Sequence, residues 1–419
     1  MNYLGSNKLR ILIGLIAIFL LFQAYKFIKI RITNIDLPKG RIVFSSGVDG
    51  NKEIYIMDIN GANLKQLTRN SATRTNTATD YQPSFSPNGE KIVFVSDRQG
   101  ENKEPIYDYQ NRIVGVGSSK TGALDIYIMN SDGSDQMPLT YHGLNLNPFF
   151  SPDGEKIIFR SNRPLSLRIM DLNTLREGIL KYGGGEAKFT QDGKKFLDNF
   201  KGNISLADIS GSNMLRLTNF SNAPGGVNNK KDNIGIDFTL SSDGKKVAIA
   251  TIEMVGWRPQ IFKFYTINLD GSELENIYSL KTKGNGILWN FKYSPDRERI
   301  ICNADFDEQG LYLLNLGDKS LINLTGEKEN WDAFSNFPFT FIPNGKRIVF
   351  VANIYPKNYN LALFVYKIKV LARYLLLWRN TPPYDNKYLC TIDIDGKNYR
   401  RIVKLPAGSR VGHDFIHWE

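Results

Sequence analysis

The chain has 419 residues, 42% hydrophobic and 12% aromatic, with a formal net charge of +11. That is ample apolar material for a large core and excludes a disordered chain. Residues 1–40 hold six basic residues and one acidic one, about half of the net charge, and no long basic run follows, which argues against the clustered cationic stripe of a nucleic-acid binder.

Taken in order, the chain starts with a polar, basic stretch (Lys8, Arg10), then the continuously apolar Ile11–Phe22, then Lys26, Lys29 and Arg31. Twelve apolar residues suit a signal-peptide core, and a spanning helix wants about 20. Cleavage needs small residues near the cut, and after Ala24 the bulky Phe22 stands in the way. Lys26 and Lys29 can snorkel, so a transmembrane helix over about 11–30 is expected, an uncleaved signal anchor occupying 1–33. Basic residues flank it on both sides, so orientation is not decided by charge.

From residue 34 onward one unit recurs. Asn147–Ser161 reads NPFFSPDGEKIIFRS: a short strand, a Ser-Pro-Asp-Gly turn and a second strand. Copies begin at Gln82, Asn290 and Phe339, with weaker ones at Glu186 and Asp237. Each continues into an IYIMD-like strand, a second tight turn and a strand ending in Leu-Thr, at Leu67, Leu139, Leu217 and Leu324. Four short antiparallel strands (A to D) per repeat predict a propeller blade. The first unit opens directly on strand B at Arg41, and Asp414–Glu419 reads as a strand A with nothing after it. The two halves predict one all-β, seven-bladed β-propeller over 34–419, closed by the C-terminal strand, with no exposed edge where the ring joins.

This F-S-P-D-G-K-K-I-x-F … I-Y-x-M-D-x-D-G … L-T unit resembles the TolB-type propeller repeat, a relative of the WD repeat. The resemblance covers nearly everything from about residue 40 onward, and the fourth unit, with TQDG followed by KFLDN, departs from it most. It implies the fold. For function it leaves a choice among periplasmic partner-binding proteins, gating domains of peptidases and some lyases.

Strand A lines a propeller channel, which nominates Glu186, Lys188, Asp237 and Lys292 as ligand-binding groups, with His413 at the rim. The alternative is a wet channel whose opposite charges pair off. His413 and His417 would lie about 13 Å apart on one strand, too far for one metal; no metal site and no cofactor is expected. Gly115–Thr121 has a P-loop flavour but lacks its second glycine and the strand-to-helix context, and no Gly-x-Ser-x-Gly elbow occurs. Cys302 and Cys390 fall inside predicted strands and are too few for a disulfide framework.

Two insertions depart from the repeat, both between strands B and C and both on the face opposite the Ser-Pro-Asp-Gly turns. Residues 100–122 are polar and Gly-rich and read as a surface loop. Residues 354–386 contain YNLALFVYKIKVLARYLLLW, basic and aromatic, which suits an interfacial helix or a docking element, or a segment folded back on the propeller itself. Tyr107, Lys120, Tyr366, Lys369, Arg373 and Trp378 are the rim residues this nominates. The expectation is a non-catalytic, membrane-anchored, extracytoplasmic propeller that binds a protein or glycan partner, not nucleic acid. The alternative is a lyase or hydrolase acting on an acidic sugar at the channel mouth.

Overall fold

The computed structural model describes residues 37–47, 52–70, 79–98, 104–107, 113–117, 124–141, 143–162, 164–182, 187–200, 202–220, 233–255, 258–282, 287–306, 308–326, 330–331, 338–355, 387–406 and 416–418. Gly40–Glu419 forms one compact unit, separate from Met1–Lys39. Among the described residues no helix is long and apolar enough to cross a membrane. The spanning helix expected over 11–30 lies outside them.

Seven antiparallel sheets follow one another along the chain, each with the A-B-C-D order expected of a blade. Blade one is assembled from both ends of the chain. Its inner strand is Ile416–Trp418, beside Gly40–Ser46, Glu53–Asp58 and Lys65–Gln66. The closing register is Gly40↔Trp418, Arg41↔His417 and Ile42↔Ile416. Strand A of blades two to seven is Asp80–Phe85, Asn145–Phe150, Ala187–Phe189, Asn233–Leu240, Ile287–Tyr293 and Phe339–Phe341.

The hydrophobic core lies between blades. Val43, Ile54 and Leu67 of blade one pack with Phe85, Phe94 and Met129 of blade two. Val93 and Ile126 of blade two join Phe150 and Phe159 of blade three in the next cluster. The pattern continues around the described ring, as with Phe264 of blade five against Phe291 of blade six, 5.7 Å between ring centroids. Alternation along each strand supplies one apolar face to each neighbour, which is why the repeat needs its neighbours to bury either.

Two side-chain devices explain why the repeat conserves polar residues at fixed places. In the A–B turn the hydroxyls of Ser86, Ser151, Thr190, Ser241 and Ser294 each accept the backbone N–H five residues on, at 2.9–3.1 Å. Each also donates to an Asn or Asp two residues on, as Ser86 does to Asn88 at 2.7 Å. At the end of strand D, Thr68, Thr140, Thr218 and Thr325 accept the N–H of the residue 14 positions earlier in strand C, at 2.8–2.9 Å. The preceding leucine N–H donates to the carbonyl of that same residue, so the Leu-Thr pair clasps D to C by backbone and side chain together.

The outer edges are managed by length and by bulges. Strand D has only two or three residues in blades one, two, four and six. The longer ones, Glu177–Tyr182, Glu275–Lys281 and Arg400–Lys404, each carry a register shift against strand C. A bulge twists an edge away from further strand addition.

Three features differ from the sequence expectation. Residues 100–122 are not a plain loop: Glu104–Tyr107 and Ile113–Gly117 pair as an antiparallel hairpin in a sheet of its own. Pro105-Ile-Tyr and Ile113-Val-Gly-Val supply β-formers on both sides of the turn, outweighing the glycines. Blade seven gains a strand, Asn330–Trp331, paired with Ile354 and Tyr355. Strand A bulges in blades two, three, five and six, between Tyr81 and Ser84, Leu146 and Phe149, Gly235 and Asp237, and Leu288 and Asn290.

Candidate functional site: the channel wall and the B–C face

The channel wall is built from the strand-A residues that alternate with the inter-blade apolar set. Pro83, Pro148, Ala187, Phe238, Phe291 and Phe339 are buried between blades. On the alternate positions Gln82, Lys188, Lys292, Thr340 and His417 are half-buried and Asn147 is exposed. The positive end of this wall is engaged. Lys188 Nζ lies 3.2 Å from Asp237 Oδ1 in the next blade and donates to the Phe238 carbonyl. It also sits 4.8 Å from the centre of the Phe238 ring. Asp237, 6% exposed, additionally accepts the Phe238 N–H at 2.7 Å. The structure thus brings two of the nominated channel groups together as an inter-blade ion pair.

Lys292 is on strand A of blade six. It lines a cleft of about 220 Å³ at the mouth beside the A–B turns, with Leu240, Tyr293, Thr340, Phe341 and Pro343. Burial, with Asp243 nearby, pushes the Tyr293 phenol up to about 12. Glu186 and His413 lie outside the described residues. Among the described residues no group of three or more His, Cys, Asp or Glu side chains is placed to hold a metal ion. Cys302 and Cys390 are buried thiols, not joined in a disulfide, and burial raises the Cys302 thiol well above its usual range.

The sequence reading did not single out Gln82 and Asn147. Both occupy the left-handed region inside a strand, at φ 53° and 52°, and both precede a proline. Gln82 Oε1 accepts the Asn147 N–H at 2.9 Å, stitching blade two to blade three across the channel wall. Part of the signal was legible: a proline inside a strand is confined to an edge strand or a bulge, and strand A of both blades is an edge strand of its sheet that also bulges.

On the opposite face, below the B–C and D–A connections, blades one and two share a buried polar network. Glu53, 5% exposed, accepts the Thr68 hydroxyl at 2.6 Å and the Asn70 N–H at 2.8 Å. Asn70 Nδ2 bridges on to Asp80 Oδ2 at 2.8 Å, and Arg98 meets that same oxygen at 2.9 Å. The Arg98 guanidinium stands over the Tyr127 ring, 4.5 Å from its centre, and donates to Gln136 Oε1 at 2.9 Å. Gln136 in turn donates to the Leu67 carbonyl of blade one. Burial raises the Glu53 carboxyl above its ordinary range, against the opposing hydrogen bonds from Thr68 and Asn70. In the sequence, the 104–117 hairpin follows Arg98 and precedes strand C of blade two. Tyr107 falls on the first hairpin strand. Lys120, Tyr366, Lys369, Arg373 and Trp378 lie outside the described residues.

These features define the class of the protein: an all-β, seven-bladed β-propeller closed by its C-terminal strand. No family model matches the chain. It is 33% identical over 145 residues to the protein TolB homolog of Chlorobium chlorochromatii, covering 29% of this chain and 31% of that one. A second TolB homolog, from Chlorobium luteolum, is 31% identical over 156 residues, 32% of this chain and 34% of the relative. The Tol-Pal system protein TolB of Geobacter sulfurreducens matches at 45% over 53 residues. The chain thus spans about a third of the length of the first two curated relatives and less of the third. Over the matched segments its repeats are similar to those of TolB proteins. Among solved structures it is similar to a putative TolB from Agrobacterium tumefaciens, at 17% identity and TM-score 0.41 over 68% of this chain and 94% of that one. It is also similar to an oligogalacturonate lyase in complex with manganese, at 15% identity and TM-score 0.46 over 73% of each chain. Neither structural likeness bears on activity.

Proposed function

We propose that this chain is a binding module of the bacterial envelope: a propeller tethered by a helix over about 11–30, facing the extracytoplasmic side, that captures a protein partner. The insertions at 100–122 and 354–386 form its docking rim. The observation that carries the reading is the hairpin Glu104–Tyr107/Ile113–Gly117, a two-stranded sheet of its own that the blade does not need for its four strands. Ordered elaborations gathered on one edge of a repeat array commonly mark its binding face. Sequence similarity to TolB proteins supports a protein partner and an envelope setting. On the channel side, Lys188 and Asp237 neutralise each other across a blade junction, an arrangement that holds the wall together.

The test replaces 356–386 with a short Gly-Ser linker and compares capture from envelope extracts by crosslinking. The account expects an unchanged melting transition and loss of the captured protein. Capture at full strength from a folded variant would remove the rim from the account. Protease protection of intact cells tests the tether and its orientation.

A further inference from the structure

Three departures from the repeat fall on consecutive blades and meet at one place. Strand A ends on Phe85, Phe150, Phe189 and Phe341 in blades two, three, four and seven. In blade five it ends on the smaller Leu240, and in blade six on Tyr293. The residue that follows is the serine or threonine of the turn clasp in blades two to six, but Ile342 in blade seven. There the backbone bonds of the turn remain, with the Ile342 N–H on the Arg347 carbonyl at 2.9 Å, while the hydroxyl bond is given up for an apolar side chain. Leu240, Tyr293, Phe341 and Ile342 all line the cleft of about 220 Å³ beside the A–B turns. Positions where a repeat breaks its own local rules are the ones to search for function.

Tyr293 is 9% exposed, and its ring belongs to the core between blades five and six, with Phe264 and Phe291. Phenylalanine serves that purpose in the other blades, so the hydroxyl is the addition. Among the described residues it has no hydrogen-bond partner. The serine hydroxyls of the cleft are committed to the protein itself. Ser242 donates to the Pro295 carbonyl at 2.9 Å, and Ser294 donates to Asp296 and accepts the Arg299 N–H at 3.0 Å. Burial keeps the Tyr293 phenol neutral at physiological pH, so its proton is available to an acceptor. A buried hydroxyl without a partner is costly to retain. Size narrows the occupant further: a cavity of about 150 Å³ lined by Leu, Ile and Phe holds benzene, so this cleft has room for one ring and a short polar tail.

We propose that the cleft is a binding site for a small aryl carbonyl compound, its ring against Leu240, Phe341 and Ile342 and its carbonyl oxygen accepting the Tyr293 hydroxyl. The site lies beside the A–B turns and is separate from the docking rim on the opposite face. Lys292 also borders it, and an anionic probe reads its influence.

Fluorine NMR titrations of the full chain use three probes: para-fluoroacetophenone, para-fluoroethylbenzene, which lacks the acceptor, and para-fluorobenzoate. The ketone should bind saturably with a dissociation constant on the order of 1 mM, as suits so small a ligand. Tyr293→Phe should weaken the ketone about five-fold, the effect of one neutral hydrogen bond, and leave ethylbenzene binding unchanged. Leu240→Phe, which restores the residue of the other blades, should abolish binding of both neutral probes while the melting transition stays in place. No saturable ketone binding, an equal loss of both neutral probes in Tyr293→Phe, or full binding to Leu240→Phe overturns the proposal. Benzoate binding more tightly than the ketone would make the occupant an acid and overturn it too. Capture by the rim is a separate readout, so failure here leaves the docking assignment standing.

Discussion

At the residue scale, the fold is held by polar side chains that sit at fixed offsets in every blade and finish the hydrogen bonding the backbone leaves undone. Thr218 is the cleanest of them, accepting the Ile204 N–H at 2.9 Å with 3% exposure. Thr218→Val keeps the shape and strands a buried donor, so unfolding by denaturant should show a loss of about 1–3 kcal/mol. A loss within error of zero would mean the clasp is ornamental. Glu53 gives a pH signature. Its carboxyl is raised by burial, so the folded state holds the proton to higher pH than the unfolded chain does. Its contribution is therefore most favourable below the unfolded carboxylate range and declines as pH rises through the folded value. The melting temperature of Glu53→Gln minus that of wild type should accordingly increase from pH 4 to pH 7; a decrease contradicts the assignment.

At the scale of elements, the A–B turn needs a left-handed fourth residue. Gly89, Gly154, Gly193, Gly244 and Gly345 supply it at φ 66–75°, and in blade six Arg297 takes it at 66°. Arg297 offers in exchange an ion pair to Asp243 of blade five, whose carboxyl is held well below the usual range by the Ser241 hydroxyl, the Lys245 N–H and then Arg297. A left-handed L-residue costs roughly 1–2 kcal/mol and an exposed ion pair returns ~0–1. Arg297→Gly should thus be neutral or stabilising by up to ~1 kcal/mol, while Gly154→Ala should lose about 1–2 kcal/mol; thermal melts that rank the two the other way refute the turn geometry. These turns were readable from the sequence because a two-residue motif, Ser-Pro, Asp-Gly or Asn-Gly, encodes each locally. The hairpin at 104–117 was not, since its glycines and charges resemble those of a loop and its pairing shows only when Pro105-Ile-Tyr is set against Ile113-Val-Gly-Val. The strand-A bulges were missed for a related reason: the period-two alternation that located the channel assumes an unbroken ladder. Gln82 and Asn147 break it. The opposite charges at Lys188 and Asp237 were visible, but only the offset of adjacent blades decides that they meet.

For the whole molecule, the rim assignment depends on a ring of seven blades in which Ile416–Trp418 completes blade one. Gly40 lies tight against the closing strand, since a Cβ there would lie 2.8 Å from the His417 carbonyl and 2.9 Å from the Trp418 ring. Gly40→Val should therefore lower the melting temperature by several degrees, through crowding at the seam. The most direct measurement pairs Ile42→Cys with Ile416→Cys and follows oxidation by mass spectrometry of the digested protein. The register Ile42↔Ile416 predicts a peptide linking positions 42 and 416 within one molecule. No such peptide, or one formed only between molecules, would contradict a closed seven-bladed ring.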